Sequence, residues 1–421
     1  MDRLSARALY YASEFWISFA FAVSFTVTGV YFVREVGMNP LELVLVGTVM
    51  EASILVFEVP TGVVADTYSR RLSIIIGWIV LGVGLVVAGL VPSVAVVLLG
   101  YAIWGLGWTF QSGALQAWIT DEVGVDRVGR IFARGDQIGY LGALVGIPLS
   151  VAVATRDLGL AVSLGGLLTA GFGVFALFAM PETAFVRRPA AERGNAWREL
   201  RTTAGAGSRF VRAQPLLLLI LAIGLFAGAS TESFDRLQEA QFIRNVGLPE
   251  LGGLDPVVWF GVFAAGSLLL GLLATEVLVR RFERVGQEGL ARLLFFLTVV
   301  QVCTVVVFAL AGSLIVALAG MWCYRLTRSL IGPVYFTWLN QNITDSSIRA
   351  TVTSITNQSD AVGQVAGGPA LGAIGTVFGL RAALLAGGTL LVPALGLYGR
   401  AIRRGGREPE LRELRRTGGS S

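Results

Sequence analysis

Uncharged apolar runs of about 20 residues recur along the whole chain and limit the folds that it can adopt. Each has the length of a helix that crosses a lipid bilayer. The clearest runs are residues 15–33, 137–155, 158–181, 213–231, 256–275, 361–380 and 382–399. Residues 41–65 form another, and two longer stretches, 72–120 and 293–344, break near Pro92-Ser93 and Gly312-Ser313 into two helices each. The runs therefore predict an all-α polytopic membrane protein with twelve transmembrane helices.

The composition agrees with a membrane protein and excludes several functional classes. Only 14% of the residues are charged, whereas a soluble chain carries roughly a quarter. The chain has no histidine, and all 33 of its basic residues are arginine. This removes the commonest metal ligand, any histidine-based triad and the lysine of a nucleotide-binding loop. We therefore expect neither an enzyme nor an ATP-driven pump, and we expect no metal or other cofactor.

The distribution of arginine predicts the orientation of the chain. If the N-terminus is cytoplasmic and the helices alternate, the inner side receives Arg70, Arg71, Arg127, Arg130, the segments 187–212 and 280–292, and the tail from Arg400. The outer side keeps Arg34, Arg156, Arg244 and Arg381. This excess follows the positive-inside rule. We expect an integral protein of the bacterial plasma (inner) membrane with both termini cytoplasmic, and the basic pI then requires no nucleic-acid partner.

Two short patterns of the first half recur in the second half. Residues 31–37 (YFVREVG) resemble residues 241–247 (QFIRNVG) at an offset of 210 (247 − 37). At an offset of 221 (369 − 148), the trio Gly142, Gly146 and Pro148 recurs as Gly363, Gly367 and Pro369. These patterns predict two six-helix halves, residues 1–182 and 215–402, with a cytoplasmic linker at 183–214 and a tail at 403–421. Such parallel repeats are typical of transporters that bind their substrate between the halves.

A charged loop separates the second and third predicted helices, with the pattern Gly62-x3-Asp66-x3-Arg70-Arg71. Taken alone, it fits a solvated hairpin in which Asp66 pairs with an arginine. The pattern resembles the loop signature of the major facilitator superfamily, whose members have twelve helices in two bundles. The resemblance implies a cytoplasmic gate in which this acid and these arginines bond across the two halves. Further charges that could extend the gate are Asp121, Glu122, Arg130 and Arg134.

The segment from Gly142 to Pro148 resembles a fifth-helix motif of the drug exporters in this family, with Ile147 as an insertion. The alternative is that its small residues only allow close helix packing. The fourth helix departs from many proton-coupled exporters, because Trp108 and Thr109 stand where those carry an arginine. The resemblance nevertheless implies a secondary active transporter, with proton-coupled efflux of small amphiphilic compounds or drugs as the expected function.

Polar and charged residues inside the predicted helices are the candidate site. A charge at mid-bilayer costs about 2.5–3.5 kcal/mol, so these side chains should face a cavity or a partner. Glu51 lies near the midplane of the second helix, and Glu232, Asp235, Arg236 and Glu239 share one face of the seventh. The resemblance places helices one, four, seven and ten around a central cavity. It thereby assigns to the cavity Glu14, Gln111, Gln116, Asp235, Arg325 and Arg328, with Trp104, Trp108, Tyr324 and Trp338 as walls.

The roles of these charges stay open between two interpretations. Arg325 or Arg328 could neutralise an acid on another helix, namely Glu51, Asp235 or Glu232, as a buried ion pair. Alternatively, one carboxylate carries a coupling proton driven by the proton gradient, since burial disfavours the charged form. Glu51 and Glu14 are the first candidates and Asp235 is the third.

Alternative functions also remain open at this point. The chain could be an importer or facilitator of a small organic anion that binds Arg325 and Arg328. It could also be a lipid transporter or scramblase. In each case the expected partners are a small-molecule substrate and the lipid bilayer, and the protein is expected to be a monomer.

Overall fold

In a computed structural model, the described residues 4–185, 205, 208–212, 214–250, 252–274, 286–343 and 349–405 are mostly helical. In chain order, the helices are α1 (Ala6–Phe25), α2 (Thr28–Arg34), α3 (Pro40–Thr67), α4 (Arg70–Leu90), α5 (Val94–Gln111), α6 (Ala114–Val123), α7 (Val125–Ala154), α8 (Leu158–Ala179), α9 (Pro215–Gln241), α10 (Val258–Ala274), α11 (Gln287–Leu310), α12 (Leu314–Gln341), α13 (Arg349–Phe378), α14 (Leu380–Thr389) and α15 (Val392–Gly405). Within these ranges, eleven spans are long and apolar enough to cross a membrane, and Val258–Leu272 is a shorter apolar helix. The predicted all-α polytopic fold is confirmed.

The helix boundaries follow local sequence signals. Helix α4 ends at Leu90 before Pro92-Ser93, and α11 ends at Leu310 before Gly312-Ser313, so both predicted breaks are confirmed. Helix α3 begins with a capping box, in which Asn39 Oδ1 accepts from the Glu42 N–H (3.0 Å) and Glu42 Oε2 accepts from the Asn39 N–H (2.8 Å). These two bonds satisfy donors that the first turn of a helix leaves open.

Three spans are interrupted at points that the sequence analysis did not predict. The first span divides into α1 and α2 at Thr26-Val27, and the seventh ends in a π-helix, Phe242–Val246. The fourth divides into α5 and α6 at Gly113, whose φ is +72°. Glycine adopts this left-handed conformation readily because it has no β-carbon. Interrupted helices within a membrane are tolerated where protein or a cavity satisfies the freed backbone groups.

The chain forms two compact units, residues 1–200 with 236–268, and residues 201–235 with 269–421. In the first unit, α1 packs against α7 and α8, and α4 packs against α5 and α8. In the second unit, α11 packs against α12, α14 and α15, while α13 packs against α14. The predicted linker (183–214) and tail (403–421) lie largely outside the described residues, and the predicted domain boundaries stay predictions.

The two glycine patterns of the repeat join equivalent helix pairs. A β-carbon at Gly142 of α7 would collide with the Phe15 carbonyl of α1, and one at Gly363 of α13 would collide with the Leu225 carbonyl of α9. Phe15 and Leu225 are themselves separated by the repeat offset of 210. Gly146 and Gly367, one turn further along, also lie against α1 and α9. Each half therefore contains the same close helix pair, as the repeat predicts.

Pro148 and Pro369 lie inside α7 and α13, shortly after these glycines. A proline within a helix leaves one carbonyl without its usual donor. The contacts of the glycines support the packing interpretation of the motif, while its link to export stays a prediction.

Candidate functional site

The charged loop between the second and third spans joins α3 to the end of α6. Arg70, the first residue of α4, forms an ion pair with Asp121 of α6 and lies 3.6 Å from Asp66. Its guanidinium also donates to the Ala117 carbonyl at 3.2 Å. Arg70 is only 20% exposed, whereas Asp66 is 65% exposed. The loop is therefore held to the end of the fourth span mainly through Asp121.

Arg71 has a different role from its neighbour, because it caps a helix. Its guanidinium donates to the carbonyls of Leu177 (2.5 Å) and Met180 (2.8 Å) at the end of α8. The carboxylate of Glu182 in turn accepts from the Arg71 N–H (2.9 Å) and from the Ser69 hydroxyl (2.7 Å). A cation thus stabilises one helix C-terminus and an anion one N-terminus. Glu182 was not predicted, and the gate's bonding across the halves stays a prediction.

The chain that leaves α8 is bound to the same region. Glu122 of α6 accepts from the N–H and hydroxyl of Thr183, each at 2.6 Å, and from the Ala184 N–H at 3.0 Å. The Phe185 ring centroid lies 5.7 Å from the Arg70 guanidinium carbon, within cation–π range. Glu122 was predicted to extend the network of charges, and in this structure its bonds instead fix the first residues after the sixth span.

Three of the predicted gate residues lie apart from this cluster. A β-carbon at Gly62 would meet nothing within 4 Å, so no described part of another helix lies close against this glycine. Arg130 and Arg134 are exposed and have no ion pair or hydrogen bond with any residue that the structure describes. The buried face of α7 carries Ile131 and Gly135, which directs both arginines away from the packed side. Neither arginine joins the cluster around Arg70 in this structure, and their part in the gate stays a prediction.

Glu14 lies where α1 crosses α7 at close range. A β-carbon at Gly135 would be 3.1 Å from Glu14 Cγ, and one at Gly139 would be 3.7 Å from Glu14 Oε2. The two glycines therefore make room for this carboxylate between the helices. Glu14 also interacts with the Tyr10 hydroxyl and with the carboxylate of Asp136. Asp136 was not predicted, so the first half holds two interacting carboxylates where the sequence indicated one.

An aromatic cluster joins α5 to α1, further along α1 than Glu14. Trp104 and Trp108 of α5 stack with ring centroids 5.4 Å apart and an interplanar angle of 15°. Phe21 and Phe25 of α1 lie 6.2 and 6.0 Å from the Trp104 ring. Trp104 is 8% exposed, and its indole N–H has no hydrogen-bond partner among the described residues. Buried donors without a partner are rare in native proteins, and the Trp104 indole N–H is one of the few in the described part of the chain.

The other predicted residues of the first unit lie on separate helices. Gln111, at the end of α5, lies against α4, because a β-carbon at Gly77 would be 3.0 Å from its own. Gln116 is exposed on α6, and Glu51 is half-buried near the middle of α3. Their proposed place in one cavity therefore stays a prediction.

Two arginines predicted at the outer side are bonded within the first unit. Arg34, which ends α2, forms an ion pair with Asp255 at 3.1 Å. Arg244, in the π-helix, donates to the Met38 carbonyl at 2.6 Å. Arg34 and Arg244 are equivalent in the repeat. Both bonds join the segment 236–268 to the chain between the end of α2 and the start of α3.

In the second unit, Arg328 of α12 forms an ion pair with Asp235 of α9 at 2.5 Å. The two side chains are 43% and 34% exposed. This pair is one of those that the ion-pair interpretation left open for Arg328, together with Glu51 and Glu232. Arg328 also interacts electrostatically with Asp360 of α13, a carboxylate that was not predicted. Arg325 is exposed on α12, three residues before Arg328.

Two aromatic residues that were predicted to line a cavity lie in the core of this unit. Tyr324 is 1% exposed and stacks on Phe234, with ring centroids 3.7 Å apart. Trp338 is 2% exposed and packs 5.8 Å from the Tyr398 ring. Both rings are covered by neighbouring aromatic side chains in this structure, and their role as cavity walls stays a prediction.

Comparison with known proteins agrees with the fold and the loop signature. Residues 10–359 match the sequence profile of the Major Facilitator Superfamily. The chain is 23% identical over 368 residues to the uncharacterized MFS-type transporter YxaM of Bacillus subtilis (strain 168), covering 85% of this chain and 86% of that protein.

Solved transporter structures show the same fold at low sequence identity. The crystal structure of the nucleoside transporter NupG has a TM-score of 0.75 at 14% identity and covers 94% of this chain and 99% of its own. A bacterial homolog of the human lysosomal transporter Spinster, in an inward-facing and unoccupied conformation, has a TM-score of 0.73 at 13% identity, with 96% and 98% covered. With its helical fold and the family match over most of its length, the chain belongs to the Major Facilitator Superfamily and is a membrane transport protein.

Proposed function

We propose that this transporter exports small amphiphilic compounds in exchange for protons by alternating access. In this proposal it lies in the bacterial plasma membrane with the loop between α3 and α4 on the cytoplasmic side. The distribution of arginine supports this orientation, and the likeness of the Gly142–Pro148 segment to exporter motifs supports the direction.

The observation that carries the proposal is the aromatic cluster around Trp104. Ligand pockets are lined mainly by apolar and aromatic side chains with a few polar groups that orient the ligand. The stacked pair of Trp104 and Trp108 supplies such a surface, and the unpartnered Trp104 indole N–H supplies one donor. A compound with a flat apolar part and one hydrogen-bond acceptor would satisfy both.

Glu14 supports the coupling to protons. It lies two turns of α1 before Phe21, about 10 Å along the helix axis. Two carboxylates that interact, as Glu14 and Asp136 do, repel each other when both are ionised, which favours the binding of one proton. Proton release at this site would be sensitive to any cationic or polar substrate that reaches the aromatic cluster.

An accumulation assay with ethidium, a flat amphiphilic cation, tests the function and its direction. Cells that lack their own multidrug pumps and express the protein should hold less ethidium than control cells, and a protonophore should remove the difference. Trp104→Phe should weaken export because it keeps a ring and removes the donor. Trp259→Phe is the matched control, since the Trp259 indole donates to the Pro249 carbonyl at 2.9 Å.

Other outcomes of this assay would overturn the proposal. Higher ethidium in expressing cells would indicate import. Unchanged ethidium, together with movement of a labelled phospholipid by the purified protein in liposomes, would indicate a lipid transporter.

A further inference from the structure

The two halves of the repeat carry an acidic residue on opposite helices of an equivalent helix pair. In the first half, Glu14 on α1 faces Gly139 on α7. At the offsets of 210 and 221, the equivalent of Glu14 is Gly224 on α9, and the equivalent of Gly139 is Asp360 on α13. At these two equivalent positions each half therefore carries one acid, on the first helix in one half and on the fifth helix in the other.

Asp360 contacts α9 at the position where its equivalent, Gly139, contacts α1. A β-carbon at Gly228 of α9 would lie 3.0 Å from Asp360 Oδ1 and would collide with the Asp360 carbonyl. Gly228 is the equivalent of Ser18, and a β-carbon at Gly139 would lie 2.9 Å from Ser18 Oγ. The acid is thus inserted between two closely packed helices in both halves, opposite glycine in each case.

Asp360 interacts with an arginine that is already paired with another acid. Its carboxylate accepts a hydrogen bond from Gln364 of its own helix at 2.7 Å, and within the described chain it has no ion pair. The charged and titratable groups that face it are Arg328 and Tyr335 on α12 and Asp235 on α9. Arg328 is already paired with Asp235 at 2.5 Å. Arg328 therefore interacts with two carboxylates inside membrane-spanning helices, where an uncompensated charge is costly.

We infer that Asp360 binds and releases a proton during the transport cycle and that, once ionised, it competes with Asp235 for Arg328. This inference rests on the proposed proton coupling. In the protonated state, Asp360 is neutral and Arg328 stays on Asp235, as in this structure. When the O–H bond of Asp360 breaks and the proton passes to water, the carboxylate attracts Arg328 and loosens the bond between α9 and α12.

The test compares Asp360→Asn with the unchanged protein in proteoliposomes. The variant should lose ethidium accumulation driven by an imposed pH gradient, while exchange of ethidium for ethidium across the membrane continues. Asp360→Glu should restore gradient-driven transport, because it returns a carboxyl group to the site. Asp126→Asn is the matched control, since Asp126 is an exposed acid at the start of α7.

A second readout does not depend on the substrate. The infrared absorption of protonated carboxylic acids, titrated against pH in the purified protein, should lose one component in Asp360→Asn and none in Asp126→Asn. An unchanged titration, or gradient-driven accumulation in Asp360→Asn equal to that of the unchanged protein, would overturn the inference and leave the proposed function intact. Absence of gradient-driven transport in the unchanged protein would overturn the proposed function, whereas the infrared titration would still report whether Asp360 binds a proton.

Discussion

Arg70 and Arg71 are adjacent in the sequence but stabilise different parts of the first unit. Arg70 binds the side chain of Asp121 in the fourth span, and Arg71 binds backbone carbonyls at the end of the sixth. The difference arises because consecutive residues at a helix start point about 100° apart around its axis. The loop signature is therefore also a structural connection between the third, fourth and sixth spans.

Replacing Arg70 should destabilise the first unit more than replacing an exposed arginine of the same region. Arg70→Ala removes an ion pair and a hydrogen bond to a carbonyl, and we expect a loss of about 1–2 kcal/mol in the free energy of unfolding. Arg130→Ala, at an exposed position without a bonded partner in the described chain, should change it by less than about 0.5 kcal/mol. Thermal unfolding in detergent measures both, and equal effects of the two substitutions would contradict the assigned contacts.

The pair of Arg328 and Asp235 should show strong coupling in a double-mutant cycle. Asp235→Asn leaves Arg328 without this partner, and because both groups are partly exposed we expect a cost of about 1–3 kcal/mol. Arg328→Gln should have a similar effect. The double substitution should cost less than the two single changes together, since neither charge is then left alone. Strictly additive losses would show that the two side chains do not interact in the membrane.

Asp136 and Asp360 were not predicted from the sequence, and both were missed for the same reason. Spans were located as uncharged runs, so each predicted span stopped at the first charge. Asp136 and Asp360 stand directly before the runs 137–155 and 361–380, yet α7 begins at Val125 and α13 at Arg349. Glu14 also stands directly before its run, 15–33, but the resemblance assigned it to the cavity as a residue of the first helix.

At the scale of whole elements, each half contains one equivalent close helix pair, α1 with α7 and α9 with α13. Their contacts depend on the absence of β-carbons at Gly142 and Gly363, where backbone meets backbone. The spacing of small residues and proline was visible in the sequence, and it predicted close packing. The sequence could not show the partner helix, because the contact of α7 with α1 joins segments more than 100 residues apart.

Alanine at these glycines should therefore be far more harmful than alanine elsewhere on the same helix. Gly142→Ala and Gly363→Ala should each lower the free energy of unfolding by about 1–3 kcal/mol through overpacking. Gly129→Ala, on α7 where a β-carbon meets nothing within 4 Å, should be neutral or stabilise the helix by about 0.5–1 kcal/mol. Thermal unfolding of the three variants tests this prediction. An unchanged unfolding temperature for Gly142→Ala would contradict the close backbone contact between α1 and α7.

The interruption of the fourth span gives a second test at this scale. Gly113 has a φ of +72°, which costs other residues roughly 1–2 kcal/mol. Gly113→Ala should therefore destabilise the protein by about that amount, although no side chain crowds the position. Gly113→Asn should cost less, because asparagine tolerates this conformation better. Equal unfolding temperatures for alanine and the unchanged protein would contradict an interrupted helix.

At the scale of the whole molecule, the repeat explains the architecture better than any single motif. The offsets of 210 and 221 relate Arg34 to Arg244 and Gly142 to Gly363, and the helices that carry the two glycines make equivalent contacts with α1 and α9. Differences between the halves lie in the charges, with Glu14 and Asp136 in one and Asp235, Arg328 and Asp360 in the other. Such differences are where a transporter built from similar halves can acquire coupling and specificity.

The most direct measurement is simultaneous recording of proton and ethidium movement in proteoliposomes that contain the purified protein. We predict that an imposed pH gradient drives ethidium uphill, that protons move in the opposite direction, and that both fluxes stop when a protonophore collapses the gradient. Ethidium that only equilibrates, at the same rate with and without the gradient and with no linked proton flux, would contradict the proposed exchange of protons for substrate.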